Sequence, residues 1–191
     1  MKEQKENVRA FIAVELSKAA KDEIERIINS LKDADTNTKW LSSQTMHLTL
    51  KFLGSVSPEK VKDITSSIKT ISEDITTFNI TFSDIGVFPS ERRPKVVWVG
   101  IKDDNGEVQA LSSKVEGAME KEGFTREDRP FTPHITLGRI KNGKNIDKLM
   151  SITKSINVSP IVSTISRIVL FRSELTSKGA IHTPISKIPF K

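Results

Sequence analysis

The chain has 191 residues, 36% of them hydrophobic, and its 30 Lys plus Arg against 24 Asp plus Glu leave a formal net charge of +6. Such a length fits one domain or two small lobes, the composition excludes an intrinsically disordered chain, and no apolar run approaches the roughly 18 residues of a membrane helix. Cysteine is absent, which excludes disulfides, thiolate metal sites and a cysteine nucleophile. The opening stretch Met1-Lys2-Glu3-Gln4-Lys5-Glu6-Asn7 mixes acid and base and leads into no signal-type apolar segment, so a soluble cytoplasmic protein is expected. The positive balance favours an anionic partner such as nucleic acid, although a charge of this size also serves plain solubility.

In chain order, residues 8–16 are apolar and rich in β-branched side chains and read as a buried strand. Ser17 then caps a helix whose Ala20, Ile24, Ile27, Ile28 and Leu31 recur at three- and four-residue spacing. A strand over 45–53 ends at Gly54, and Ser57-Pro58-Glu59 opens a second helix with the stripe Val61, Ile64, Ile68 and Ile71. Strands at 77–87 and 95–101 precede a third helix marked by Val108, Leu111, Val115, Ala118 and Met119, with Gly123 placed to end it. The remainder reads as a strand over 132–140, a short helix over 145–153, and strands over 156–162, 165–171 and 181–188. Strands and helices interleave through short turns without a linker, so an α+β or α/β architecture without a flexible hinge is expected.

Two of the three histidines occur in nearly the same phrase: Met46-His47-Leu48-Thr49-Leu50 and Pro133-His134-Ile135-Thr136-Leu137. Side chains alternate along a strand, so His47 and Thr49 share one face while Met46, Leu48 and Leu50 share the other. The same parity separates His134 and Thr136 from Ile135 and Leu137. One His-x-Thr in a strand is ordinarily just the polar side of a sheet. Two copies in matching strands are a signal of chemistry.

An imidazole titrates near pH 6.5, so one of a pair can serve as base while the other serves as acid. Two fixed hydroxyls suit the non-bridging oxygens of a phosphate, where charge accumulates during displacement. Together the four groups describe in-line attack on a phosphodiester, with His47 and His134 expected to face one phosphate across a cleft. Zinc is the competing explanation, but its histidines normally come with carboxylate or sulfur ligands at close spacing, and that pattern is missing.

The blocks around these strands resemble the two-histidine phosphoesterase superfamily, and within it the bacterial and archaeal LigT-like RNA 2′,3′-cyclic phosphodiesterases, formerly called 2′-5′ RNA ligases. The similarity runs through Val8 to Leu16, Trp40, His47-Leu48-Thr49-Leu50-Lys51-Phe52-Leu53-Gly54 and Gly86-Val87-Phe88-Pro89. It continues through Lys95-Val96-Val97-Trp98-Val99-Gly100, Arg129-Pro130-Phe131-Thr132-Pro133-His134-Ile135-Thr136-Leu137-Gly138-Arg139 and Leu170-Phe171-Arg172-Ser173-Glu174-Leu175. One departure is His182, in Ile181-His182-Thr183-Pro184, where the family usually has tyrosine.

The resemblance implies an α+β fold of two pseudo-symmetric lobes, each an antiparallel sheet backed by helices around a central cleft, with residues 1–191 forming one bilobal domain. It implies His47 as proton donor to the departing 3′ oxygen, His134 as proton acceptor from water, and Thr49 and Thr136 as phosphate ligands. The implied product is a 2′-phosphate, made without metal or nucleotide cofactor. The implied partners are RNA with a 2′,3′-cyclic phosphate end, tRNA fragments among them, or cyclic nucleotides, with no membrane and a monomeric enzyme. The alternatives are reversible 2′-5′ RNA ligation on the same residues and a non-catalytic RNA- or nucleotide-binding module. A binder has no need of an acid and a base together.

Outside the four central residues, regular alternation puts Lys51 on the His47 face as a candidate substrate contact. Arg139 falls on the wrong face and reaches the site only through a bulge or bend, for which Gly138 gives an opening. Arg92 and Arg93 form a basic loop, solvated or on an RNA backbone. Phe88 and Trp98 read as mostly core, although an exposed one could stack on a base, and His182 reads as structural.

Overall fold

A computed structural model describes residues 6–177 and 179–191, so residues 1–5 of the opening stretch lie outside the described part. The elements run β1 (Val8–Glu15), α1 (Lys18–Lys32), β2 (Thr38–Trp40), β3 (His47–Val56), α2 (Pro58–Ser72), β4 (Phe78–Phe88) and β5 (Val96–Lys102). They continue α3 (Glu107–Lys121), β6 (His134–Ile140), α4 (Ile146–Ser155), β7 (Ser163–Ile165), β8 (Arg167–Thr176) and β9 (Gly179–Pro189). Four strands form one sheet in the order β3-β1-β8-β9, and five form another in the order β2-β6-β5-β4-β7. Every pairing is antiparallel. The expected α+β architecture of two sheets with helices is therefore present.

The helices start where local chemistry starts them. The Ser17 hydroxyl accepts from the Ala20 amide and the Ser57 hydroxyl from the Lys60 amide, each satisfying an otherwise orphaned donor. Helices α2 and α3 pack on the four-stranded sheet, while α4 packs on β4 with α1 beside it. Their apolar stripes and the inner faces of both sheets join in one continuous core that includes Ile12, Ile24, Leu48, Ile64, Val97, Met119, Ile135 and Leu137. A second, small cluster of Phe11, Ala13, Val169 and Phe171 lies on the outer face of the four-stranded sheet.

Two expectations are corrected. Residues 156–162 form no strand. Their backbone is taken by α1 side chains instead: Arg26 donates to the Asn157 carbonyl at 2.8 Å and the Ser159 amide donates to Glu23 at 2.9 Å. Pro160, lacking an amide, could not have completed a ladder there. Second, β3 does not stop at Gly54 but runs on to Val56, with Gly54 at φ 72°. The register explains how: Ala10 pairs with Gly54 and Phe11 with Phe52, leaving Leu53 as an extra residue in a bulge.

Candidate active site

The two His-x-Thr strands are placed alike. β3 edges its sheet, β6 lies one strand in from the edge of the other, and the two strands are in contact. Leu48 and Leu50 on one strand, and Ile135 and Leu137 on the other, enter the same core. His47, Thr49, His134 and Thr136 therefore occupy the opposite faces, half-buried.

Each histidine is held by the same device. His47 Nδ1 lies 3.0 Å from the Thr45 carbonyl and His134 Nδ1 lies 2.7 Å from the Thr132 carbonyl, two residues upstream in both cases. A carbonyl only accepts, so Nδ1 carries the hydrogen and Nε2 is left to exchange a proton with a ligand. One tautomer is thus selected at both positions by backbone alone.

A second shared device changes the parity of the residues downstream. Along β3, Ile12 pairs with Lys51 and Ala13 with Thr49, so Leu50 is an extra residue. Along β6, Val97 pairs with Gly138 and Trp98 with Thr136, so Leu137 is extra. Both bulges fall three residues after the histidine, and both reverse the alternation beyond it.

On β3 the reversal removes Lys51 from the expected face. It is 3% exposed, and its ammonium donates to Glu116 at 2.7 Å and to the Thr125 carbonyl at 2.9 Å. Phe52 takes the place on the His47 face that simple alternation assigned to Lys51. On β6 the reversal has the opposite value. Arg139 pairs with Val96 while Thr136 pairs with Trp98, which puts Arg139 on the same face as Thr136. Its other cross-strand neighbour is Lys39. Among the described residues neither cation forms an ion pair, and like charges placed opposite one another are unfavourable without an anion between or above them.

The surroundings of the two imidazoles differ. His47 stacks on Phe11 with ring centroids 4.7 Å apart and on Phe171 at 5.4 Å, and meets the edge of His182 at 5.3 Å. Burial among these rings pushes its pKa down to about 4, with the neighbouring His182 and Lys21 adding in the same direction and the Thr45 carbonyl opposing. His182 is also lowered by burial, and its Nδ1 is enclosed without a hydrogen-bond partner. Thus His182, read as structural, forms part of the wall around His47.

His134 instead meets Phe88 edge-on at 5.1 Å and Trp98 at 6.1 Å. Those two rings stack at 5.0 Å and are half-buried on the site face, not core as expected. Val97 and Val99, of opposite parity, supply the core. Gly86 makes room for this arrangement, since a Cβ there would run into the Trp98 ring. Arg92 lines a separate hollow with Asp147, Met150 and Ser151. Among the described residues, no group of three or more His, Asp or Glu is arranged to hold a metal ion.

The aromatic bed of Phe11, Phe52 and Phe171 was missed in the sequence. β1 is apolar on both faces, so periodicity does not distinguish Phe11 from the core residues Ala10 and Ile12.

Paired His-x-Thr strands stand on two antiparallel sheets, each histidine with Nδ1 tied to a carbonyl and Nε2 without a hydrogen-bond partner among the described residues, an arrangement suited to phosphoester chemistry by general acid–base transfer. Residues 19–176 match the model of the 2′-5′ RNA ligase superfamily, and the chain belongs to that family. It is 36% identical over 177 residues to an RNA 2′,3′-cyclic phosphodiesterase of Methanothermobacter thermautotrophicus, covering 92% of this chain and 95% of that one. It is 30% identical over 183 residues to an RNA 2′,3′-cyclic phosphodiesterase of Aquifex aeolicus, covering 94% and 96%. Among solved structures, apo E. coli LigT superposes with a TM-score of 0.77 at 23% identity, covering 98% of this chain and 99% of that one, which bears on the fold.

Proposed function

We infer that this chain hydrolyses the 2′,3′-cyclic phosphate at an RNA end, and small cyclic nucleotides of the same chemistry, leaving a 2′-phosphate and a free 3′-hydroxyl. The observation that carries the reading is the twin arrangement of His47 and His134, each with Nδ1 tied to a carbonyl and Nε2 free. Its relatives' shared activity on RNA cyclic phosphates supports the substrate class. Water attacks phosphorus in line with the 3′ oxygen. His134 takes the proton from water as the new P–O bond forms, and His47 gives its proton to the 3′ oxygen as the old P–O bond breaks. Thr49 and Thr136 donate to the non-bridging oxygens, and Arg139 adds a cation beside them. Both proton transfers run through imidazole, so the scheme draws on no metal. Substrates of this kind include tRNA fragments, handled by a monomer in the cytoplasm.

The proton inventory needs one further step. A His47 that titrates near 4 is neutral in the free protein at pH 7. Bound phosphodiester places an anion beside it and favours the charged imidazole, so substrate binding itself arms the acid. The superfamily's name favours one second reading, the reverse step, in which a 5′-hydroxyl RNA replaces water and a 2′-5′ bond forms by microscopic reversibility.

The test is incubation with a 2′,3′-cyclic nucleotide with and without EDTA, followed by phosphorus NMR against both monophosphate standards. Formation of the 2′-phosphate in EDTA is expected. No turnover, or turnover abolished by EDTA, overturns the reading; a 3′-phosphate product overturns the assigned orientation alone.

A further inference from the structure

We propose that Lys21 is the positioning residue of His47: its ammonium braces the turn whose last carbonyl orients the imidazole. Its effect on rate rests on the phosphodiesterase reading. The brace acts on a single 3₁₀ turn, Ser43–Thr45, ahead of β3. There the Thr45 amide donates to the Ser42 carbonyl at 3.1 Å and the Met46 amide to the Ser43 carbonyl at 3.2 Å. The carbonyls of Gln44 and Thr45 are left without an amide partner, as at any helical terminus. Two side chains take them. Lys21, near the start of α1, donates to the Gln44 carbonyl at 3.0 Å, and the neighbouring Thr45 carbonyl holds His47 Nδ1 at 3.0 Å. One turn further along α1, Glu25 accepts from the buried Ser43 hydroxyl at 3.1 Å. The helix thus grips both ends of the turn.

His47 needs this brace because of where its strand lies. β3 edges its sheet, so His47 has a paired strand, β1, on one side only. β6 lies between β2 and β5, and the approach to His134 is tied by backbone, the Ile101 amide donating to the Pro133 carbonyl at 3.1 Å. α1 is itself fastened beside the other sheet: the Ser17 amide donates to Ser163 of β7 at 2.8 Å and Arg26 to the Asn157 carbonyl. Lys21 therefore places His47 relative to the sheet that carries His134. A charged donor makes the stronger kind of hydrogen bond to that carbonyl. The same cation is close enough to His47 to add to the lowering of its pKa.

The experiment records proton–nitrogen correlation spectra of labelled histidine in the free protein at pH 7, together with turnover of a 2′,3′-cyclic nucleotide. The proteins are wild type, Lys21→Met, Lys21→Arg and Lys18→Met, the last removing a cation of the same helix that pairs with Asp22. Wild type is expected to show His47 in its Nδ1–H form. In Lys21→Met that form gives way to a mixture of tautomers while His134 keeps its own. There kcat falls by roughly ten- to hundredfold with KM nearly unchanged, the scale of loss when a reacting group is misplaced by about 1 Å. Lys21→Arg restores both readouts, and Lys18→Met changes neither. An unchanged His47 signal or an unchanged kcat in Lys21→Met overturns the brace, as does an arginine variant no better than methionine or an equal loss in Lys18→Met. A rise in KM at unchanged kcat also overturns it, making Lys21 a substrate contact instead. If wild type turns over no cyclic nucleotide, the phosphodiesterase reading fails and the spectra alone decide: a tautomer mixture in Lys21→Met upholds the brace, and an unchanged spectrum overturns it.

Discussion

His47 and His134 open matching strands, each fastened at Nδ1 by the carbonyl two residues upstream and each followed by a bulge at the third residue. The lobes nevertheless treat the two imidazoles differently. His47 is bedded on Phe11 and Phe171 with His182 against it, and burial brings its pKa down to about 4. His134 meets Phe88 and Trp98 in T-shaped contacts and stacks on neither. The two imidazoles are therefore made unequal in their surroundings by packing, not by a nearby carboxylate. Burial keeps His47 neutral in the free protein at pH 7, and an anion beside it would favour the charged imidazole. With His47 as acid and His134 as base, a bell-shaped pH profile of kcat/KM is expected, measured on a cyclic nucleotide.

The sharpest way to break this comparison is to remove each imidazole in turn. A positioned acid or base contributes about 10²–10⁴-fold. His47→Ala and His134→Ala are each expected to lose at least that much turnover on a cyclic nucleotide, measured by product chromatography. Because both act in one step, the double variant should fall far short of the product of the two losses. Wild-type turnover in either single variant would end the two-histidine mechanism.

The next largest effect concerns the residue that the β3 bulge turned away. Lys51 joins Glu116 and the Thr125 carbonyl, and Glu116 also accepts from the Glu127 amide at 3.0 Å. This buried pair thus ties β3 to α3 and to the segment that leads into β6 and His134. Removing one member of such a pair leaves an uncompensated charge and costs about 3–5 kcal/mol. Lys51→Ala should unfold at markedly lower denaturant, while Lys51→Met combined with Glu116→Leu should recover most of the loss. A Lys51→Ala protein of unchanged stability would mean the pair carries no structure.

Much of this was legible beforehand, and for identifiable reasons. The helix caps at Ser17 and Ser57, the helical stripes and the twin His-x-Thr phrases depend on local spacing, which the chain states directly. The bulges at Leu50 and Leu137 do not. Each inserts one residue because the partner strand and the core beneath demand it; Gly138 gave an opening for the slip on β6, but nothing in Leu-Lys announces the one on β3. Phe11, Phe88 and Trp98 were opaque for another cause: in strands apolar on both faces, parity cannot say which face meets the helices. The segment 156–162 looked extended because its composition suits a strand, but Glu23 and Arg26, more than a hundred residues earlier, claim its backbone.

The packing difference between the lobes also carries a pH signature in stability. The folded pKa of His47, about 4, lies below the unfolded value near 6.5, so between those limits the unfolded chain binds more protons. Stability is therefore complete above about pH 6.5 and is lost as pH falls towards 4, by on the order of 3 kcal/mol from this group. Urea unfolding across that window should show the loss in wild type and a flatter dependence in His47→Gln. If His47→Gln loses as much as wild type, the desolvated imidazole is not its source.

The smallest effect tests what the β6 bulge brought in. Arg139 shares a face with Thr136 and sits opposite Lys39, two cations without ion-pair partners among the described residues. In the folded protein without ligand that juxtaposition is mildly unfavourable, so removing Arg139 should leave stability unchanged or slightly raised. With a phosphodiester bound, the same guanidinium supplies a charge-assisted hydrogen bond to an anion, and its loss in Arg139→Ala should raise KM by about tenfold with a smaller change in kcat. Arg139→Lys keeps the charge but not the planar fork and should recover only part of the affinity. The effect should shrink at high salt, because an exposed cation is screened over about 10 Å at 0.1 M and over less as salt rises. Lys51 is the counterpart: loss of Lys51 should move stability, loss of Arg139 should move KM, and one-residue bulges at equivalent positions account for the division. An Arg139→Ala protein with wild-type KM at low salt would show that the bulge redirects the side chain without giving it a task.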